Sequence, residues 1–101
     1  MELTGGLFIG TERRQSDTRF HAYDPAAGAN IDDAGFAGAS ERDVADACAA
    51  AEAAFLPYSA KPLEERARFL ETIADEIEAL GDALIERACR ESGLPVARIT
   101  G

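Results

Sequence analysis

The sequence predicts a short region of β-strands and turns followed by a longer region of α-helices. Over residues 7–37, short apolar runs alternate with Gly, Pro and Asp, a composition typical of strands and tight turns. From Ser40 onward the spacing of apolar residues changes from every second residue to a period of about 3.6, which predicts helices. We therefore place strands and turns in residues 1–38 and helices in residues 39–101.

The length of 101 residues fits one domain, but the chain is poor in large apolar residues. Of its hydrophobic residues, which make up 47% of the chain, 21 are Ala and 21 are Leu, Ile, Val or Phe. Chains with so few large apolar residues form weak cores on their own. We therefore expect much of the apolar surface to contact polypeptide outside this sequence.

The net charge of −9 excludes some classes of partner, because it repels nucleic-acid phosphates and anionic membrane surfaces. The sequence has no run of roughly eighteen apolar residues that could form a transmembrane helix. Its first residues have neither the basic nor the apolar segment of a secretory signal. We therefore predict a cytoplasmic protein with no nucleic-acid partner and no membrane partner.

Two strands are predicted in the first region. Leu7–Ile9 is a short apolar run that Gly10 ends, and residues 19–23 alternate between two faces. The stretch between them, residues 15–18, is rich in turn-forming residues. We therefore expect these two strands to pair with each other as a β-hairpin.

A turn is predicted at residues 24–28. Pro25 presets its own φ, Asp24 can accept hydrogen bonds from nearby amides, and Gly28 can adopt a positive φ. Residues 29–38 contain two Asp residues and a Gly that interrupt the alternating pattern, so no clear strand is predicted there.

The first helix is expected to begin after Ser40, whose hydroxyl can accept a hydrogen bond from a free amide of the first turn. Pro57 is expected to end this helix, because the residue before a proline is disfavoured in the helical conformation. The apolar positions share one narrow face, which comprises Val44, Ala47, Cys48, Ala51 and Phe55.

The second helix is expected to start at Pro62, since proline is favoured at the first helical position. Its acidic positions are interpreted as a solvated face rather than as paired catalytic carboxylates. This acidic face comprises Glu71, Asp75, Glu76 and Glu78. The apolar face comprises Leu63, Ala67, Leu70, Ile73, Ala74, Ile77 and Leu80.

Gly81 is expected to interrupt the helices, with Asp82 as the N-cap of a third helix. That helix is expected to end at Gly93, and Pro95 stands where a fourth helix can begin. The apolar side of the third helix comprises Leu84, Ile85, Ala88 and Cys89.

The sequence predicts no catalytic, cofactor-binding or metal-ligating residue. His21 is the only histidine and is interpreted as a surface or packing residue. Cys48 and Cys89 lie on apolar helix stripes outside any metal-ligand or redox pair, so both are expected to be unreactive, buried thiols. The first glycines lack the spacing of a dinucleotide-binding loop and precede a strand: these are Gly5, Gly6 and Gly10.

Five sequence segments occur in a fixed order along the chain. They are LFIG at 7–10 with FHAYDPAAG at 20–28, the Ala-rich stretch that opens with ASERDV at 39–44, PLEERARFL at 62–70, IADEI at 73–77, and ESGLP at 91–95. In this order and spacing they resemble the N-terminal part of aldehyde dehydrogenases, and the resemblance covers essentially the whole chain. Leu94, where most members have Lys, and ADEIEALGDAL at 74–84 resemble the branch that oxidises 2,5-dioxovalerate to 2-oxoglutarate.

The resemblance implies a parent protein several times longer, with an α/β fold that contains a Rossmann-type cofactor domain. Residues 39–101 would be an incomplete helical part of that domain, which continues beyond residue 101. In such enzymes a Cys attacks the aldehyde, hydride passes to NAD or NADP, and a Glu-activated water hydrolyses the thioester. The residues that perform these steps in the family have no counterpart in this sequence. The segment alone is therefore expected to be inactive and to bind no cofactor.

The same resemblance implies three partners, namely the remainder of the parent chain, a small aldehyde substrate and identical subunits of a homo-oligomer. Two alternatives need no parent enzyme. The chain could be a self-contained helical module that docks a partner helix through its Ala-rich stripe, or a small structural domain without a ligand.

Overall fold

The computed structural model describes residues 2–101. It contains strands over the first part of the chain and helices over the rest, as predicted. Within these residues the strands form three separate antiparallel pairs, which are β1 Leu7–Ile9 with β2 Glu12–Arg14, β3 Arg19–Phe20 with β6 Phe36–Ala37, and β4 Tyr23–Asp24 with β5 Ala29–Asn30. The helices are α1 Glu41–Ser59, α2 Leu63–Ala79, α3 Gly81–Ser92 and α4 Val96–Thr100.

The predicted hairpin between Leu7–Ile9 and residues 19–23 is wrong. Strand β1 instead pairs with β2, with Leu7 opposite Arg14 and Ile9 opposite Glu12. Gly10, at a φ of 59°, lies in the tight turn between them. A short loop costs less entropy to close than the longer loop of the predicted hairpin, and this favours the local partner. The charged sequence of β2 gave no apolar signal for a strand.

Residues 19–37 form two nested strand pairs around the predicted turn. The turn at residues 24–28 is confirmed, because the carboxylate of Asp24 accepts hydrogen bonds from the amides of Ala26 and Ala27. The amide of Gly28 donates to the carbonyl of Asp24 at 2.9 Å. Residues 29–38, where no clear strand was predicted, supply the returning strands β5 and β6.

The N-terminal cap of α1 is confirmed. The Ser40 hydroxyl accepts a hydrogen bond from the Asp43 amide, and the Asp43 carboxylate accepts one from the Ser40 amide. The predicted end at Pro57 is wrong, since α1 continues to Ser59. A proline inside a helix removes one backbone hydrogen bond and disfavours the helical conformation of the residue before it, yet α1 includes Pro57 and the two residues after it.

The later helix boundaries follow the prediction with two small differences. Pro62 is the N-cap residue of α2 rather than its first helical residue. Gly81, at a φ of 59°, separates α2 from α3 as expected, but α3 starts at that glycine. Asp82 therefore lies in the first turn of α3 and is not its N-cap. Gly93 ends α3 in the left-handed conformation, and α4 follows Pro95.

The buried apolar side chains, as far as residues 2–101 are concerned, lie in the strand region and are Ile9, Ile31 and Ala37. Helices α1 to α4 contain no buried residue. The radius of gyration is 16.9 Å, against about 13 Å for a compact chain of this length. Helix α1 contacts β1, and α3 contacts β4.

Candidate functional site

No group of three or more His, Cys, Asp or Glu side chains within residues 2–101 could hold a metal ion. In the same part of the chain, no helix has the length and apolar content needed to cross a membrane.

The two thiols lie in different surroundings. Cys89 is half-buried on α3, whereas Cys48 is exposed on α1. The expectation that both thiols are buried is therefore wrong for Cys48, because the stripe of α1 on which it lies is not covered in this structure. Neither thiol forms a disulfide.

His21 and Asp33 lie close together, with His21 Nδ1 at 3.6 Å from Asp33 Oδ1. That carboxylate already accepts hydrogen bonds from the Arg87 guanidinium at 2.7 Å and from the Gly35 amide at 2.8 Å. Arg87, followed by the Gly35 amide, holds the pKa of Asp33 below its ordinary value. The carboxylate is thus engaged in hydrogen bonds to Arg87 and to the Gly35 amide.

Arginine side chains join the strand region to the helices. At the first link, Arg14 of β2 reaches Asp43 and Asp46 of α1 at 3.1 and 2.9 Å. Hydrogen bonds from Arg14 lower the pKa of Asp46. The pKa of Asp43 is lowered first by the Ser40 amide and then by Arg14.

The second link joins α3 to the loops of the strand region. Arg87 binds Asp33 at 2.7 Å and Arg90 approaches Asp24 at 3.3 Å. The pKa of Asp24 is lowered mainly by the backbone amide of the 24–28 turn and further by Arg90. The strand region is therefore fixed to α1 on one side and to α3 on the other by ion pairs.

A set of exposed apolar side chains lies on α1 and α2. The side chains of Leu63, Leu70 and Phe55 are 74%, 62% and 67% exposed. At about 100° per residue, the apolar residues of α2 cover an arc of roughly 160° on the helix. We call the exposed set the α1–α2 surface, and it comprises Phe55, Tyr58, Leu63, Phe69, Leu70, Ile73, Ile77 and Leu80.

A groove lies at the edge of this surface, between α1 and α2, and shares Tyr58 and Phe69 with it. Tyr58 and Phe69 contact each other edge to face, with ring centroids 5.7 Å apart. Beside them lies an open groove of about 630 Å³, with Lys61 and Glu65 at its rim. A second groove of about 330 Å³ continues along α2 from Phe69 to Leu80. The arrangement suits binding of apolar polypeptide rather than chemistry on a small molecule.

Apolar surface of this extent is unusual on a protein that works alone. Each 100 Å² of apolar surface removed from water contributes about 2.5 kcal/mol. The acidic face of α2 is exposed as well, as predicted. The two faces of α2 therefore differ in chemistry and not in exposure, and only the apolar face favours a partner.

The proteins that are similar to this chain in sequence are much longer than it. The sequence profile of the aldehyde dehydrogenase family matches residues 11–101, and the chain belongs to this family. Alpha-ketoglutaric semialdehyde dehydrogenase 2 of Azospirillum brasilense is 54% identical to it over 102 residues, which cover 100% of this chain and 19% of the relative.

Two further relatives have semialdehyde dehydrogenase names. Alpha-ketoglutaric semialdehyde dehydrogenase of Acinetobacter baylyi is 44% identical over 66 residues, which cover 65% of this chain and 12% of the relative. N-succinylglutamate 5-semialdehyde dehydrogenase 2 of Caulobacter vibrioides is 37% identical over 92 residues, covering 90% of this chain and 19% of the relative. No solved structure matches the chain significantly. The chain thus spans at most 19% of the length of these relatives, and the family resemblance is confirmed.

Sequence reasoning missed two parts of this arrangement. It omitted Phe69 from the apolar face of α2, although the helical period places this residue at the edge of the arc. It also missed the arginine links, because the paired residues are 29 to 66 positions apart and no local pattern connects them.

Proposed function

We propose that this chain is part of an enzyme that oxidises 2,5-dioxovalerate, also called α-ketoglutaric semialdehyde, to 2-oxoglutarate with NAD or NADP. The observation that carries the proposal is the 54% identity along the whole chain to a relative named for that substrate. The exposed α1–α2 surface supports it, because a part of a larger enzyme needs a surface on which the rest of the enzyme can pack.

In this proposal residues 1–38 are an N-terminal region of strands and turns, and residues 39–101 belong to a cofactor-binding domain of Rossmann type. The nucleophile, the general base and the residues that bind the cofactor lie outside this chain. The complete enzyme is a cytoplasmic homo-oligomer. What these 101 residues contribute is a folded element that covers apolar surface of the enzyme.

A chimera tests the proposal. The stretch of the Azospirillum brasilense relative that matches this chain is replaced by the 101 residues, and the purified chimera is assayed for NAD- and NADP-dependent oxidation of α-ketoglutaric semialdehyde. We expect activity within about tenfold of the unaltered relative. The matched control is the relative without that stretch, which should be insoluble or inactive. A soluble, folded chimera without activity would overturn the proposal.

The isolated chain supplies a complementary test. Because it has no phosphate-binding loop and no nucleophile motif, isothermal titration with NADP should show no binding, and no aldehyde should be oxidised. Micromolar affinity for NADP would contradict the placement of the cofactor residues outside this chain, and would favour a self-contained binding module.

A further inference from the structure

Arg66 lies within the apolar arc of α2. On a helical surface, side-chain neighbours are the residues three and four positions away, and for Arg66 none of these is acidic. They are Pro62, Leu63, Phe69 and Leu70. A charged guanidinium therefore stands among exposed apolar side chains of the α1–α2 surface, and the helix itself offers it no carboxylate.

The remainder of residues 2–101 also places no carboxylate within ion-pair distance of Arg66. Within residues 2–101, the Nε of Arg66 is shielded from water and has no hydrogen-bond partner. By comparison, Arg14 binds Asp43 and Asp46, and Arg87 binds Asp33, although one terminal nitrogen of Arg87 is likewise shielded and without a partner. Arg66 thus has neither a hydrogen-bond partner for its Nε nor an acidic partner within residues 2–101.

We propose that the polypeptide that covers the α1–α2 surface presents a carboxylate to the guanidinium of Arg66. The inference rests on the proposed function, in which the occupant is the remainder of the enzyme. The lengths of the relatives support that occupant, because this chain corresponds to 19% of the Azospirillum brasilense protein.

The physical reason is the cost of burying charge. Once an apolar segment covers Leu63, Leu70 and Ile73, the guanidinium between them loses the water that now solvates it. A buried charge without a partner is strongly unfavourable, whereas a carboxylate can pair with both terminal nitrogens of an arginine. The covering segment is therefore apolar with one acidic residue placed opposite Arg66.

The test uses the chimera with Arg66→Met, Arg66→Lys and, as the control, Arg42→Met on α1, whose side chain is 84% exposed. Thermal unfolding is the readout. If a carboxylate faces Arg66, the Met substitution leaves that carboxylate buried without a partner, and the melting temperature should fall by roughly 3 °C or more. Arg66→Lys should restore part of the loss, and Arg42→Met should change the temperature by less than about 1 °C, because exposed ion pairs contribute little.

A melting temperature that does not fall in Arg66→Met overturns the inference. Without a carboxylate opposite Arg66, the Met substitution would extend an apolar contact, and the melting temperature would stay the same or rise. An active chimera with that response would refute this inference alone. A folded chimera without activity would refute the proposed function and, with it, the occupant named here.

Discussion

The strand region, residues 2–38, and the helical region, residues 39–101, are stabilised in opposite ways. The strand region contains the buried apolar residues found within residues 2–101, and arginine side chains fix it to α1 and α3. The helices carry most of the large apolar residues, but those of the α1–α2 surface remain exposed. The strand region therefore buries part of its apolar surface inside this chain, although Phe8 and Phe20 stay 73% and 59% exposed, whereas the helices bury none of their residues.

The largest effect is expected when the chain is studied without the remainder of the proposed enzyme. The isolated 101-residue chain should show helical circular dichroism without a sharp thermal transition, or should associate in light scattering. Its exposed apolar surface forfeits about 25 cal/mol per Å², and the net stability of a domain is only about 5–15 kcal/mol. A monomer that melts in one sharp two-state transition would show that the helical region is complete on its own.

The next effect is that of a truncated side chain on the α1–α2 surface. In the chimera, Leu70→Ala should lower the free energy of unfolding by roughly 2–5 kcal/mol, since Leu70 is covered there. In the isolated chain, where Leu70 is 62% exposed, the same substitution should have little effect. Glu71→Ala, on the acidic face, is the control in denaturant unfolding. An unchanged midpoint for Leu70→Ala in the chimera would show that this surface stays in water.

A smaller effect concerns pH and the strand region. The folded pKa of Asp33 lies below the ordinary value of 3.8, first because of Arg87. A carboxyl group with a lowered folded pKa stabilises the fold above its unfolded pKa, and that contribution disappears as the pH falls through the folded value. Hydrogen exchange of residues 31–37 in the chimera should thus be faster in Asp33→Asn than in the parent chimera near pH 5.

Below the folded pKa of Asp33 the two proteins should exchange at similar rates, because the parent carboxyl is then also neutral. A difference that persists unchanged at the lowest pH would mean that the charge of Asp33 does not contribute to the link with α3.

The smallest effect is expected at the link between the strand region and α1. Arg14→Met in the chimera removes the ion pairs to Asp43 and Asp46, whose side chains are partly solvated. Pairs of this kind contribute little individually, so amide exchange over residues 7–14 should rise only about two- to fivefold. Arg13→Met, in the same strand, is the control because Arg13 lies over the Phe8 ring rather than an acid. Equal responses in both variants would exclude a specific link through Arg14.

The sequence was informative at several positions where adjacent residues decide the structure, although the predicted helix end at Pro57 and the predicted N-cap at Asp82 were wrong. The Ser40 cap, the Asp24 turn and the glycine ends at Gly81 and Gly93 each depend on a few adjacent residues, and each was predicted. The pairing of β1 with β2 was not, because Glu12–Arg14 has no apolar pattern and only the tight turn at Gly10 selects it.

The α1–α2 surface was predicted in part, because its α2 residues follow a local helical pattern. Helical periodicity identifies Leu63, Leu70 and Ile77 as one face, and composition alone indicates that the chain cannot cover it. Periodicity places Phe69 at the edge of that face, although the prediction omitted it. It does not show which other elements approach the helices, so the arginine links were not predicted.

The connections around α2 have a consequence for chain length. Helix α1 is fixed to the strand region through Arg14, and α3 is fixed to it through Arg87, so α2 spans the distance between two positioned helices. Removing one residue from α2 would shorten it by about 1.5 Å and rotate everything beyond the deletion by about 100°. The ion pairs at one end, or the apolar face at the other, would then be misplaced. Helix α2 therefore tolerates exchanges of side chains on its acidic face, but neither insertion nor deletion.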